Sequence, residues 1–486
     1  MAKRKSGPLI LKEVELTAAG ARGVAIGKAD DGRVVLVKGG VPGDLMDVRV
    51  TRKKKRMWMG EPLEIHRSSS DRVRPQCKHT AICGGCTWQQ MDYSRQLFWK
   101  QTEVRENLRR LGELEIEGEE EILAAPKVFH YRNKLEYSFS SERWLSEEEI
   151  ASGLDIDDRS ALGYHVPGRW DRVFHVDECL LQPEPSNEIR NFLHSYSKDK
   201  GFSFYHPRER TGWLRTVMFR NTLDGAFMLL LQVTEMREVE LNEWVEEICR
   251  QFPQIKSIYV AVNNKVNDAI YDLDLHLLHG DEVLVEEMPA FDGGETLRFR
   301  IGPKSFYQTN PEQAAQLYRI ALEFADVQSR SLVYDLYTGT GTLAIYMARI
   351  AGKVIGVEGV PEAVADADKN AKLNGISNAE FYSGDMRKVL TADFVNEHGM
   401  PDVVMTDPPR EGMHPDVVER LRLMAPEKIV YVSCNSATQA RDLKMLKDVY
   451  RVVRSRAVDM FPHTAHVENV VLLQKRESEE LPSVQA

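Results

Sequence analysis

The chain has 486 residues, 42% hydrophobic and 28% charged, which is apolar material for two to four domain cores and excludes disorder throughout. Its 74 acidic and 64 basic residues give a net charge of -10, which taken alone argues against a nucleic-acid partner. No stretch approaches the roughly 18 apolar residues of a membrane helix, so a cytoplasmic protein without membrane contact is expected.

The average conceals an asymmetry. Residues 1–60 hold 14 Lys and Arg against 6 Asp and Glu, a local charge of +8, and the rest of the chain carries -18. After Lys3, Arg4 and Lys5 the basic residues culminate in Arg52, Lys53, Lys54, Lys55 and Arg56, followed by Met57 and Trp58, a mixture suited to phosphate contact and base stacking. A solubilising charge run has the same composition. Short alternating runs at Val24–Ile26, Val34–Val37, Met46–Val50 and Trp58–Ile65 are separated by Gly and Pro turns, the pattern of a small five-strand barrel. Over this segment the chain resembles a TRAM domain, an OB-like RNA-binding barrel.

Six cysteines are too few for a disulfide scaffold. Three of them, Cys77, Cys83 and Cys86, have the spacing C-x5-C-x2-C around Gly84-Gly85, and Cys179 lies far downstream. Four thiolates suit a [4Fe-4S] cluster or structural zinc; three clustered cysteines and one distant one favour the cluster over zinc, which usually takes paired C-x2-C knuckles. The x5 spacing departs from that expected for radical chemistry, so a structural or RNA-positioning cluster is expected. Cys249, on a predicted helix, reads as a packing residue.

Tyr93–Leu111 has helical periodicity without Gly or Pro. From Ala125 to about Arg300, strand-like runs at Lys134–Phe139, Thr216–Arg220, Phe227–Val233 and Ser257–Val262 accompany one helical stretch, Val239–Gln251, predicting an α+β domain with a largely antiparallel sheet. The acidic stretch Glu142–Asp158 reads as an insertion. From Gln313 to Val471 helices alternate with strands such as Leu332–Leu336 and Val354–Val357, which predicts a doubly wound parallel sheet.

Asp335-Leu336-Tyr337-Thr338-Gly339-Thr340-Gly341-Thr342 follows a strand and opens a helix, so its glycines permit close approach of a ligand. Glu358, at the end of the next strand, is placed to grip ribose hydroxyls in either a dinucleotide or an S-adenosylmethionine enzyme. Asp385 after the third strand, and Asp407-Pro408-Pro409-Arg410 at the carboxyl edge of the sheet, decide for the methyl donor. At the same edge Ile429–Ser433 ends in Cys434-Asn435, where a nucleophile belongs. Asp459–Glu468 carries His463 and His466 and ends in Glu468, a candidate general base; strand packing and loop capping are the plainer alternatives.

Asp-Pro-Pro-Arg, Ser-Cys-Asn with Ala440-Arg441-Asp442 following, Phe-Pro-His-Thr-x-His-Val-Glu, and Ser305-Phe306-Tyr307-Gln308-Thr309-Asn310 together resemble the RNA uracil-5-methyltransferase family. The resemblance covers about residues 10 to 475, with one departure at Ser436, where many relatives have proline and where a looser loop is expected. It implies that Cys434 adds to uracil C6 and Glu468 removes the C5 proton. It further implies that Gln308, Asp335, Glu358 and Asp385 hold S-adenosylmethionine while Asp407 positions the uracil, and that Cys77, Cys83, Cys86 and Cys179 ligate the [4Fe-4S] cluster. Arg132 and Lys134, in the family-like segment Tyr131-Arg132-Asn133-Lys134, are expected near the target strand, joined by Lys53, Lys54 and Lys55 of the barrel; both central-domain cations also read as solvated strand residues.

The expected architecture is therefore multidomain. Residues 1–70 form the TRAM-like barrel. Residues 71–92 and 125–300 form the α+β iron-sulfur and RNA-binding domain, 93–124 and 301–475 the Rossmann-like class I methyltransferase domain, and 476–486 a polar tail. The expected activity is methylation of C5 of a specific uridine in 23S ribosomal RNA, without an obligate protein partner. The alternatives are the same chemistry on transfer RNA, a noncatalytic RNA-binding iron-sulfur module and, distantly, an NAD oxidoreductase.

Overall fold

The computed structural model describes residues 9–477, so Lys3, Arg4, Lys5 and the part of the polar tail from Ser478 onward lie outside the described residues. The chain divides into two compact units. One comprises residues up to 128 with 408–419 and the segment from 431 on, and the other 129–407 with 420–430.

In the first unit, strands Ile10–Gly20, Val24–Lys28, Val34–Lys38, Met57–Arg67 and Leu45–Lys53 close in that order into a barrel. Alternation explains it: Val35 and Val37 point inward with Val14, Leu16, Ala25, Met46 and Val48, while the intervening residues face out. Closure leaves the barrel without an unpaired edge. After the cysteine-bearing loop, helix Tyr93–Glu106 starts where Asp92 accepts the Ser94 amide at 2.9 Å, and a wider turn over Asn107–Leu111 prolongs it.

The second unit contains a seven-stranded sheet in the order His276–Gly280, Ile255–Val262, Phe227–Val233, Leu214–Asn221, Lys134–Ser140, Ala161–His165, Val173–His175. All its pairings are antiparallel except that of Phe227–Val233 with Ile255–Val262. Helix Glu238–Gln251 is joined by a second helix, Ser186–Asp199, that corrects the reading of a single helical stretch in this region. Its buried face carries only Ile189 and Leu193 as large apolar residues, beside buried Arg190 and Ser197, so the stripe has helical spacing but is largely polar. The acidic stretch holds a short helix, Glu147–Ser152, capped reciprocally by Ser146 and Glu149, and ties back through Lys198–Asp158 at 2.7 Å.

One eight-stranded sheet has the order Ala379–Ser383, Lys353–Glu358, Leu332–Leu336, Val403–Thr406, Lys428–Ser433, Glu468–Lys475, Tyr450–Val458, Ile116–Leu123. Its first four strands pair in parallel, as helix-connected crossovers require. The parallel expectation fails at the other side, where Tyr450–Val458 and Glu468–Lys475 pair antiparallel through a connection of residues 459–467 rather than a helix. Ile116–Leu123, from far earlier in the chain, adds parallel to Tyr450–Val458.

Candidate active site

The glycine loop leaves strand Leu332–Leu336 through three residues with positive φ, Tyr337 at 63°, Gly339 at 57° and Gly341 at 82°. A Cβ on Gly341 would stand 2.9 Å from that of Ala367, so helix Pro361–Leu373 packs against the loop only because a glycine is there. Buried Asn370 on that helix donates to the Thr340 carbonyl at 3.0 Å. Glu358 accepts the amides of Gly339 and Val360, each at 3.0 Å, which fixes its carboxylate over the loop.

Asp335 is fully buried, and burial with the neighbouring Asp407 charge pushes its carboxyl up to about 7 although Thr338 Oγ1 donates to it at 2.5 Å. Burial pushes Asp407 up in the same way. These two acids sit at the ends of adjacent strands, Leu332–Leu336 and Val403–Thr406. Perturbed acids converging at a carboxyl sheet edge are the signature of a ligand site in an open α/β sheet. Asp385 differs. It caps the next turn and pairs with Arg387, whose charge and hydrogen bonds hold its carboxyl down, to about 2.

Gln308 is held by its backbone: Asn133 Nδ2 donates to its carbonyl at 3.1 Å, and the Asn133 amide donates to Thr309 at 2.9 Å. Buried Arg220 donates to the carbonyls of Gly302 and Ser305, at 3.1 and 2.9 Å, and Ser305 Oγ donates to Asp366 at 2.9 Å. Phe306, inside this clamped segment, is nevertheless 68% exposed. An exposed aromatic on a fixed backbone is a feature the motif alone did not reveal. Nearby, Arg132 Nε donates to the Lys134 carbonyl at 3.0 Å, and burial, Arg220 and Arg132 lower the Lys134 amine. Lys134 is thus a half-buried cation among cations, not a solvated strand residue.

In the first unit, Cys434 directly follows strand Lys428–Ser433 and precedes Asn435, the cap of helix Ser436–Leu446. The positive end of that helix favours negative charge at its start. Asn435 Nδ2 and Thr438 Oγ1 both donate to the Arg410 carbonyl, at 3.0 and 3.1 Å. Asp442 accepts the Met413 amide and the Tyr431 hydroxyl, both at 2.8 Å, so the Ala-Arg-Asp motif pins the loop after the Pro-Pro pair. Ser436 does not loosen this region: it is buried and accepts from Asn107 Nδ2 at 2.8 Å.

Buried Gln439 ties the strand that precedes Cys434 to the strand that begins with Glu468. Its Nε2 donates to the carbonyls of Tyr431 and Asn469, at 2.9 and 3.3 Å, and its Oε1 accepts from Asn469 Nδ2 at 2.8 Å. The start of the Glu468 strand is thereby fixed beside the end of the Cys434 strand. Glu468 itself is buried, and Arg410 Nη2 lies 3.4 Å from His466 Nδ1. Gln439 and Asn469 escaped the sequence reading because a polar residue within a helix or strand has no periodic signal that separates a buried bridge from a solvated side chain.

Cys77, Cys83 and Cys86 lie on one loop of the first unit. The Cys77 amide donates to Gln89 Oε1 at 3.1 Å, and the Gly85 amide donates to Cys83 Sγ at 3.4 Å. The Gly85 contact is of the kind that a metal-bound thiolate accepts. Cys179, in the second unit, is buried; its amide donates to Asn187 Oδ1 at 2.7 Å and its sulfur lies 3.9 Å from the Tyr164 hydroxyl. Cys249 lies on helix Glu238–Gln251, where burial pushes its thiol up. Another grouping, Asp47, Glu64 and His66 on the barrel, is satisfied internally: Asp47 accepts from Lys12 Nζ at 2.5 Å and approaches His66 Nε2 at 2.8 Å.

Lys53 ends strand Leu45–Lys53, and Lys54 and Lys55 lie in the following turn, all exposed. Trp58 is buried, with the Arg33 guanidinium 4.6 Å above its ring and Lys53 Nζ at 5.9 Å. The barrel therefore offers cations lying on an aromatic base instead of the bare stacking surface expected of Trp58.

A doubly wound sheet whose glycine loop, strand-end acids and clamped Ser-Phe-x-Gln segment gather at one edge has the build of a methyltransferase. The sequence model of tRNA (Uracil-5-)-methyltransferase matches residues 276–476. A Bacteroides thetaiotaomicron protein described as an uncharacterized RNA methyltransferase is 48% identical, over 94% of this chain and 100% of its own length. One so described from Porphyromonas gingivalis is 46% identical over 95% and 99%. The crystal structure of Pyrococcus abyssi tRNA (uracil-54, C5)-methyltransferase in complex with S-adenosyl-L-homocysteine superposes with a TM-score of 0.72, at 28% identity, over 95% of this chain and 100% of that one. The chain belongs to the S-adenosylmethionine-dependent RNA (uracil-5-)-methyltransferase family, and it is a methyltransferase enzyme.

Proposed function

We propose that this enzyme methylates C5 of one uridine in 23S ribosomal RNA by covalent catalysis from Cys434. The observation that carries the mechanism is the Gln439 bridge, which sets the Glu468 strand beside the strand that ends at Cys434. Uracil C5 is too weak a nucleophile to take a methyl group unaided. The Cys434 thiolate adds to C6, the C5–C6 double bond opens, and the resulting enolate carbon C5 becomes nucleophilic. S-adenosylmethionine, when bound, supplies the methyl group as a sulfonium. The Glu468 carboxylate then takes the C5 proton, the double bond reforms, and the Sγ–C6 bond breaks.

Gln308, Asp335, Glu358 and Asp385 are assigned to the methyl donor, and Asp407, raised enough to carry a proton near neutrality, to a hydrogen bond that positions the uracil. A base inside a helix cannot present C6 to a thiol, so the target is unstacked or flipped. Exposed Phe306 would support it there, and Arg132, Lys134 and the barrel lysines Lys53, Lys54 and Lys55 would hold the flanking phosphates. Cys77, Cys83, Cys86 and Cys179 would ligate a [4Fe-4S] cluster that orders the polypeptide and takes no part in methyl transfer; zinc is the alternative occupant. The TRAM-like barrel at 1–70 and the central and catalytic segments divided at 71, 93, 125 and 301 belong to the same reading.

A second reading, a transfer RNA loop as substrate, is favoured by the likeness to the Pyrococcus enzyme. Incubating anaerobically purified protein with methyl-labelled S-adenosylmethionine and unmodified ribosomal or transfer RNA, followed by nucleoside analysis, separates the two. Label in 5-methyluridine from ribosomal RNA is the expected result. Label from transfer RNA alone would replace the substrate, and no label in 5-methyluridine from either would overturn the reaction.

A further inference from the structure

The connection between the last two strands, residues 459–467, carries Glu468 at its end, directly opposite Val458 in the hairpin register. Its near half is gripped by one face of helix Tyr93–Glu106, at positions 93, 96 and 100, whose spacing of three and four aligns them along the axis. Lys100 Nζ donates to Asp459 Oδ1 at 2.5 Å and to the Phe461 carbonyl at 3.0 Å, and the Tyr93 hydroxyl donates to Asp459 Oδ2 at 2.8 Å. Gln96, fully buried, is saturated: its Oε1 accepts the His463 amide at 2.8 Å. Its Nε2 donates to the carbonyls of Trp88 and Met91, at 3.1 and 2.9 Å, and lies 3.2 Å from His463 Nδ1. The Trp88 amide in turn donates to the His463 carbonyl at 2.9 Å.

The clamp continues to the base. His463 has a φ of 66°, a conformation that costs a non-glycine residue about 1–2 kcal/mol and persists where surrounding contacts impose it. Beyond it, Thr464 Oγ1 donates to the Phe461 carbonyl at 2.8 Å and accepts the His466 amide at 3.2 Å, two residues before Glu468. Trp88 stands two residues after Cys86, so Gln96 holds the cysteine-bearing segment and the His463 turn with a single amide.

We propose that Gln96 is a positioning residue for the proton-removal step. By fixing the His463 turn against the Trp88–Met91 segment, it sets the place of Glu468 relative to C5 of the methylated adduct. The proposal rests on the reading of Glu468 as the base. Loss of Gln96 leaves Cys434 able to add and the methyl group able to transfer, because the backbone on either side of Cys434 is held separately: the Asn435 amide donates to Ser433 Oγ at 3.1 Å, and Asn435 Nδ2 donates to the Arg410 carbonyl at 3.0 Å. What slows is C5 deprotonation, and with it the electron shift that expels Sγ.

The test uses the full chain with Gln96→Leu and Gln96→Glu, the latter keeping the shape and the acceptor for the His463 amide while losing the donated bonds. For each, steady-state kinetics, thermal melting, and denaturing electrophoresis of the enzyme with RNA and labelled S-adenosylmethionine are recorded. A misplaced base lowers kcat ten- to about a hundredfold with KM for RNA within about twofold, and a methyl-labelled, denaturation-stable protein–RNA adduct accumulates that wild type does not show. A melting shift with kcat and adduct level unchanged would assign Gln96 to stability alone and overturn the proposal, as would failure of Gln96→Glu to fold. Glu468→Gln runs alongside. If it traps the labelled adduct and folded Gln96 variants do not, only this inference fails; if wild type makes no 5-methyluridine, the underlying reading fails.

Discussion

At the scale of single residues, charge in this protein is placed by burial. His463 is held at about 4 by desolvation and by the Lys100 charge, against a weaker opposite pull from Asp459. The folded protein thus binds this proton more weakly than the unfolded chain, whose histidine titrates near 6.5. The stabilising contribution is complete above that pH and is lost as pH falls from about 6.5 to about 4, where the shift corresponds to about 3 kcal/mol at most. We expect the melting temperature to drop through this range and His463→Gln to flatten part of the drop; an unchanged profile would show that His463 is not buried as described. His175, held at about 4 mainly by burial and by His194, contributes in the same direction. At Cys434 the expectation concerns chemistry: Cys434→Ala should abolish methyl transfer while RNA affinity, measured by filter binding, stays within about twofold, since the substitution removes no cation that neutralises phosphate.

At the scale of elements, the glycine loop is a junction between a strand, its following helix and helix Pro361–Leu373. Gly341→Ala meets both a φ of 82° and a Cβ 2.9 Å from Ala367. The left-handed penalty of about 1–2 kcal/mol adds to displacement of the packed helix. Calorimetry should show S-adenosylmethionine affinity lowered at least tenfold, about 1.4 kcal/mol, and affinity equal to wild type would contradict the assignment of this loop to the cofactor. Much at this scale was legible in the sequence. Strand ends punctuated by Gly, Asp-Pro-Pro and Cys-Asn give the carboxyl edge of the sheet, because each punctuation has a local backbone cause. The antiparallel closing pair was not legible, since a loop of nine residues between β-rich runs does not state which way the second strand returns. Nor were Gln96, Lys100 and Gln439. All three are buried, but polar residues on helices read as solvated until their partners are seen: a loop hundreds of residues away for Gln96 and Lys100, and two neighbouring strands for Gln439.

At the scale of the whole molecule, an acidic chain that acts on an acidic polymer concentrates its cations at one end. Residues 1–60 carry +8 within a net charge of -10, and the turn after strand Leu45–Lys53 presents Lys53, Lys54 and Lys55 to solvent. If these contact phosphate, replacing all three with glutamine should reduce the slope of log affinity against log salt by about 2, at roughly 0.7–0.9 per contact. Titration of RNA binding at several salt concentrations measures this directly; a parallel line would mean that the run serves solubility. The same treatment should leave the turnover of saturating RNA unchanged, because saturation removes the binding step from the rate.

The measurement that bears most directly on the account is mass spectrometry of Glu468→Gln after incubation with S-adenosylmethionine and the substrate RNA, followed by nuclease and protease digestion. The expected product is a Cys434 peptide carrying a 5-methylated, 5,6-dihydro uridine nucleotide through its sulfur, since addition and methylation precede proton removal. Normal turnover without this species, or a nucleotide attached to any other residue, would contradict the mechanism.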